Sequence, residues 1–213
     1  MASKEILRLM VGFRRFRDRY FQQENSLYQR LSSSGQTPKT LVIGCSDSRV
    51  DPALITSASP GELFVIRNVA NLVPPYESAG GLHGVSSAIE FAIVNLRVEN
   101  VVILGHRQCG GIRALVQGQQ KRASFVGQWM QIAQAARERV FSRYPGADEE
   151  TLCRHCEMES IVTSIENLKT FPFVQEALQE RGMNIVGAYF DLEMGEMFEY
   201  EEAAQSFRLI EFG

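Results

Sequence analysis

The chain is predicted to fold as an α/β protein with a mainly parallel central sheet flanked by helices. Three observations lead there. The runs LVIGC (41–45), ELFVIRN (62–68) and NVVILGH (100–106) are short and apolar, as strands buried on both faces are. Between the second and third lies GVSSAIEFAIVNLRV, where Ile89, Ile93 and Leu96 recur at helical spacing. A strand, helix, strand order closes by a right-handed crossover and makes the strands parallel.

The remaining elements follow in chain order. From Lys4 to Leu31, the residues Ile6, Leu9, Met10, Phe13, Phe16, Tyr20, Leu27 and Leu31 mark one extended N-terminal helix. SSSGQTP then breaks the pattern. Further helices are expected at about Gly111–Gln117, Phe125–Ser142, Glu149–Lys169 and Phe173–Arg181. NIVGAYFDLEMGEMFEY reads as a strand, a glycine-containing turn and a strand, so an antiparallel C-terminal hairpin closes the sheet. Neither an internal repeat nor a low-complexity linker interrupts the chain, and residues 1–213 are expected to form one domain with 1–35 as a helical arm.

Length and composition bound the function. A chain of 213 residues can bury a substantial core, and 45% hydrophobic with 22% charged residues is ordinary for a globular domain. A net charge of −3 gives no electrostatic reason to expect nucleic acid. The basic stretch from Arg8 to Arg19 alternates with Phe13, Phe16 and Tyr20 and reads as the polar face of an amphipathic helix, not as a membrane-surface helix. No stretch approaches the roughly 18 apolar residues of a membrane span, and the opening residues lack the apolar run of a signal peptide. The expectation is a soluble, cytoplasmic protein whose four cysteines serve metal binding or catalysis and not disulfides.

Two segments carry the chemistry, each where a parallel strand ends: GCSDSR (44–49) after LVI, and GHRQCGG (105–111) after VVIL. In open α/β sheets, sites form beyond the carboxyl ends of the strands. Neighbouring strands would bring Cys45 towards His106 and Cys109. Two thiolates and an imidazole suit zinc, a borderline-soft ion that takes sulfur and nitrogen in tetrahedral geometry. Three protein ligands leave a fourth position for water, as in catalytic sites. Gly110 and Gly111 allow a tight turn and close approach to a small ligand.

CSDSR and GHRQCGG, about sixty residues apart, resemble the two signature segments of the β-class carbonic anhydrases. PGELFVIRNVANLVPP and AIEFAIVNLRVENVVILGH are similar to that family throughout, and ENLKTFPFV and the final hairpin match more weakly. The resemblance implies one Zn2+ per chain held by Cys45, His106 and Cys109, and reversible hydration of CO2 to bicarbonate and a proton by attack of zinc-bound hydroxide. It also implies that Asp47 and Arg49 form a catalytic pair, Arg49 holding the carboxylate so that it accepts a hydrogen bond from the nucleophile. A lysine at 49 would lack the planar fork this needs.

The same resemblance distinguishes two subtypes. A bicarbonate-regulated subtype, in which the aspartate closes onto zinc, carries a tryptophan where Val42 stands and a tyrosine in the hairpin where Phe190 stands; only Arg67 matches. The chain is more similar to the plant-type, open-site subtype. That subtype implies substrate contacts from Gln36, Phe64, Val69 and Gly110, with Phe91 at a pocket position where plant members carry tyrosine. It further implies a homodimer or a tetramer of dimers, with the N-terminal helix packed across a partner.

Cys153 and Cys156 have CxxC spacing but lie in a helical, Glu-rich segment, which reads as structural and not as a second zinc site. His83, at a helix start, reads as a surface or capping residue before a proton shuttle. AGGLHG lacks the order of a nucleotide loop. Three other functions use the same residues. A cysteine-dependent hydrolase would have His106 as base, a hydrolase of CS2 or COS would share the fold, and a structural zinc module would need a fourth ligand.

Overall fold

The apolar runs become strands of one sheet in the computed structural model, which describes residues 3–21, 27–78, 82–118 and 124–211. Strands β1 (Thr40–Cys45), β2 (Leu63–Asn68), β3 (Asn100–His106) and β4 (Asn184–Asp191) run parallel. Strands β5 (Glu196–Glu201) and β6 (Ser206–Leu209) continue antiparallel, and the order across the sheet is β2-β1-β3-β4-β5-β6. The first strand therefore sits inside the sheet, directly beside β3, with Gly44 in register with Leu104.

Side chains alternate across the pleat, so Leu41 and Ile43 of β1 share a face with Val101 and Ile103 of β3, their register partners. All four are fully buried, and Tyr189 of β4 joins them. That face is covered by α4 (Gly84–Glu90), α8 (Glu149–Leu168) and α9 (Pro172–Arg181), which contribute Ile89, Ile161, Ile165, Leu168 and Val174 to the same cluster. Burying each such side chain is worth about 1.5–3 kcal/mol. The opposite face carries a smaller cluster of Val42, Leu104 and Ala188, with Ile55 of α3 (Pro52–Thr56) against it. A third cluster lies around the carboxyl ends of β1 and β3. It joins Cys45 and Cys109 to α5 (Gly110–Gln117), α6 (Phe125–Met130) and α7 (Gln134–Arg143).

Local chemistry sets the helix limits. The Asp148 carboxylate accepts the Thr151 N–H at 2.9 Å, and Glu149 and Glu150 stand in the first turn of α8, where negative charge is favoured. Pro172 opens α9, and Gly182, at φ 61°, closes it in a left-handed cap. Ile161 of α8 lies against two glycines on adjacent strands: a Cβ at Gly105 would stand 2.6 Å from its Cδ1, and one at Gly187 would stand 2.9 Å from its Cγ2.

Five expectations need correction. The N-terminal arm has two helices, α1 (Lys4–Phe21) and α2 (Leu27–Ser34), and residues 22–26 of the expected continuous helix lie outside the described residues. The serine run prolongs α2, because the Ser33 and Ser34 hydroxyls bond back to the Arg30 carbonyl. The expected helix over 125–142 is broken by a 3-10 turn at Gln131–Ala133, and the helix after Gly84 passes into a π-helical turn at Phe91–Asn95. Beyond the expected hairpin, Ser206–Leu209 adds a strand: a second turn lets this short segment pair with β5 and pack Phe207 against the core. Of AGGLHG, residues 79–81 lie outside the described residues.

Gly187→Ala is expected to cost about 1–3 kcal/mol of stability in urea unfolding, since the new methyl meets Ile161, Ile165 and the Tyr200 Cβ together.

Candidate metal centre

Cys45 is the last residue of β1 and His106 the last of β3, so the pairing of these strands carries both side chains to one end of the sheet. Cys109 follows as the residue preceding α5. The three are 5%, 1% and 2% exposed, and one donor atom from each lies within 4.8 Å of the other two. The His106 Nδ1 lies 2.8 Å from the Arg107 carbonyl, which assigns the ring proton to Nδ1. Its Nε2 is buried without a hydrogen-bond partner among the described residues. An orphaned imidazole nitrogen beside two buried sulfurs is the donor set a zinc ion takes, so the residues present fit the metal. Interaction with the Cys109 sulfur, helped by His106, lowers the Cys45 thiol to about 4 against its burial, while Cys45 and burial together raise Cys109 well above its ordinary value. Burial opposes the charged form of His106, but the Cys45 sulfur and the Arg107 carbonyl outweigh it and raise its pKa.

The loop after β1 is held from the neighbouring strand. Arg67 of β2 donates to the carbonyls of Cys45 (2.9 Å) and Asp47 (2.6 Å) and pairs with Asp51 Oδ2 at 2.9 Å. Its guanidinium is thus spent on loop geometry. Asp51 in turn caps α3. Asp47 donates its N–H to Cys45 Sγ at 3.5 Å and faces Arg49, whose Nε and Nη2 reach the two carboxylate oxygens at 2.9 and 2.7 Å. This forked pair is the strong geometry for arginine and carboxylate. The Arg49 guanidinium holds the Asp47 carboxyl well below the ordinary carboxylate range.

Of the other residues singled out in the sequence, Phe64 of β2 and Phe91 at the π turn meet with ring centroids 5.9 Å apart. Val69 follows β2, and Gly111 packs beneath it: a Cβ there would stand 2.8 Å from Val69 Cγ1. Gly110 opens α5 with free space where a side chain would be. Gln36 lies exposed ahead of β1, and among the described residues no hydrogen bond ties it to the metal-site loops. His83 is exposed and its side chain does not cap α4. Cys153 and Cys156 are buried among apolar side chains, and burial pushes the Cys156 thiol up to about 12. Both act as small core fillers. His155 stacks on Tyr144 with centroids 4.0 Å apart.

Sequence reasoning assigned no role to Arg107 and missed the buried carboxylates around the centre. Glu157 of α8, 3% exposed, accepts the Cys109 N–H at 2.9 Å and the Tyr189 hydroxyl at 2.9 Å. Arg107 pairs with the buried Asp191 (3.2 Å), Glu193 (2.9 Å) and Glu150 (2.8 Å). Nothing in a Glu-rich helix marks one glutamate as buried; the only signal was its place one residue after the CxxC pair.

Burial pushes Glu157 up to about 7, against the hydrogen bonds it accepts. The folded chain therefore keeps this proton up to about pH 7, while the unfolded chain releases it near 4.5. Stability from this group is present in full below about pH 4.5 and is lost as pH rises through 7, a difference on the order of 3 kcal/mol. Glu157→Gln is expected to flatten that decline, read from urea unfolding of metal-free protein at pH 5.5 and 8.

A family model described as carbonic anhydrase matches residues 40–197. A carbonic anhydrase of Synechococcus elongatus is 41% identical over 194 residues, covering 90% of this chain and 70% of the relative. The solved β-carbonic anhydrase CcaA superposes with a TM-score of 0.89 at 35% identity, covering 99% of this chain and 94% of that one. A structure from work on two tetrameric β-carbonic anhydrases of Sordaria macrospora gives a TM-score of 0.74 at 28% identity, covering 92% and 93%.

Proposed function

This chain belongs to the β-class carbonic anhydrases, and from that membership we propose how its residues hydrate CO2 reversibly to bicarbonate and a proton. Cys45, His106 and Cys109 hold one zinc ion per chain. The observation that carries this is the buried, unpartnered His106 Nε2 facing two buried sulfurs. Zinc, when bound there, lowers the pKa of water to about 7, as in zinc enzymes generally, and so supplies a nucleophile near neutral pH. Asp47 stays ionised and, with Arg49 gripping one edge, turns its remaining lone pairs to accept a hydrogen bond from the reacting water. Phe64, Phe91 and Val69 form the apolar wall for CO2. Gly110 offers its N–H, and Gln36 its amide, to the oxygens of bicarbonate.

The site is of the open subtype. Val42 and Phe190 stand where the regulated subtype carries tryptophan and tyrosine. Arg67, the one matching residue, has its donors committed to the loop carbonyls and Asp51. Four free cysteines accord with a cytoplasmic setting, where thiols stay reduced.

The enzyme acts as a homodimer or a tetramer of dimers. No residue of α1 is buried, and Leu9, Met10 and Phe13 are each more than 60% exposed. An apolar helix face left uncovered this way marks an interaction surface. Phe91 and Val69 are also substantially exposed, so a second chain would complete the pocket.

Stopped-flow CO2 hydration with zinc measured on the same samples tests the site. Asp47→Ala is expected to keep its zinc and lose roughly a hundredfold in kcat/KM, whereas Cys109→Ala loses the metal. Equal zinc loss in both would make Asp47 a ligand. In sedimentation, the pair of substitutions Leu9→Glu and Phe13→Glu is expected to yield monomer from a native dimer or tetramer; an active native monomer would refute the assembly.

A further inference from the structure

The second metal-site loop leaves relaxed backbone geometry at one residue. Gln108 lies at φ +58°, a left-handed conformation that is unfavourable for a side-chain-bearing residue. Strain of this kind persists where surrounding contacts hold it, and here they run in two directions. Towards the first loop, the Gln108 carbonyl accepts from Arg49 Nη2 at 3.1 Å, and its Oε1 accepts from Arg49 Nη1 at 3.4 Å. Towards the turn between β4 and β5, its Nε2 donates to Glu193 Oε1. Glu193 is itself fixed: Arg107 Nη1 reaches it at 2.9 Å, and its own N–H donates to Asp191 Oδ1 at 3.0 Å. Asp191 is 1% exposed and also accepts the Met194 N–H. A continuous path of hydrogen bonds therefore runs from a buried carboxylate through Glu193 and Gln108 to the guanidinium that grips Asp47.

Arg49 needs such an anchor. Its side chain is 47% exposed, and a long cation at the surface has many rotamers of similar energy. The guanidinium makes two bonds to Asp47, whose Oδ1 also accepts the Arg49 backbone N–H at 2.9 Å, and all three lie within the first loop. Gln108 takes the opposite edge of the guanidinium and ties it to the loop that carries His106 and Cys109. We propose that Gln108, braced by Glu193, is a positioning residue that fixes Arg49 and, through it, the direction of the Asp47 carboxylate. The inference deepens the reading of Asp47 and Arg49 given above and rests on it.

Gln108→Ala tests this, because alanine keeps a Cβ in the same left-handed backbone and leaves the carbonyl bond to Arg49 in place. The variant is expected to retain one zinc per chain and the native urea midpoint while kcat/KM for CO2 hydration falls about tenfold, the effect of losing a hydrogen bond to a charged group. The double swap Gln108→Glu with Glu193→Gln keeps the oxygen that accepts from Arg49 and re-forms the 108–193 bond with donor and acceptor exchanged; it is expected to recover most of that loss, whereas Gln108→Glu alone sets two carboxylates together and does not. A readout apart from activity is the visible spectrum of the cobalt(II)-loaded protein below pH 7. It should change in Gln108→Ala, as a released Asp47 approaches the metal, and return to the native form in the double swap. Full activity in Gln108→Ala, zinc loss that accounts for its lost activity, or a double swap no better than the single one would overturn the proposal. Asp47→Ala, assayed alongside, separates the two failures. If it is fully active, the reading of the pair falls; if it is crippled while Gln108→Ala is not, only the positioning role falls.

Discussion

The parallel pairing of β1 with β3 is the constraint on which the rest of the site depends. Cys45 ends one strand and His106 ends its neighbour, so their side chains meet beyond the carboxyl edge without any loop having to search for the other. Strand neighbours lie less than 5 Å apart, the scale on which one ion is shared. Removing three potential ligands from water is unfavourable unless something pairs with them. The core beneath supplies the stability that offsets this, and the orphaned His106 Nε2 shows where a partner is needed.

Charge around the centre is arranged in tiers. Three arginines, Arg49, Arg67 and Arg107, each come from or reach a different loop, and each is matched by carboxylates or carbonyls. Arg67 shapes the first loop, Arg107 secures the second against the β4–β5 turn, and Arg49 spans the gap between them. Lysine could not make these multidentate contacts, which explains the residue type at all three positions. Glu157 works from below: its carboxylate takes the N–H of Cys109, so the backbone presenting the second sulfur is held by a buried group on α8.

The sheet is covered unequally. One face carries α4, α8 and α9, and Ile161 presses close enough on it to require glycine at both 105 and 187. The N-terminal helices add nothing to that core; instead Phe16, Tyr20, Phe21 and Tyr28 pack among themselves and leave the remaining apolar face of α1 uncovered. The sheet edge that carries the candidate metal donors is thereby kept apart from an arm whose apolar face is uncovered.

Much of this was legible before any coordinates. LVIGC, ELFVIRN and NVVILGH read as buried strands because they are short, continuous apolar runs, and the Cys and His that end two of them, with Cys109 just beyond, are a donor set that could hold a soft metal. The breaks at Gln131 and Phe91 and the added β6 were not legible, because packing against neighbours overrides local helical period. Nor were Glu157, Gln108 and Arg107, which look like ordinary surface residues in the chain. Amino-acid order alone determined which atoms are available to hold a metal and which strands deliver them, since periodicity and donor chemistry are local properties. Tertiary structure alone decided which carboxylates and amides hold those atoms in place, since a hydrogen bond between residues 48 or 85 positions apart exists only once the sheet has brought them together.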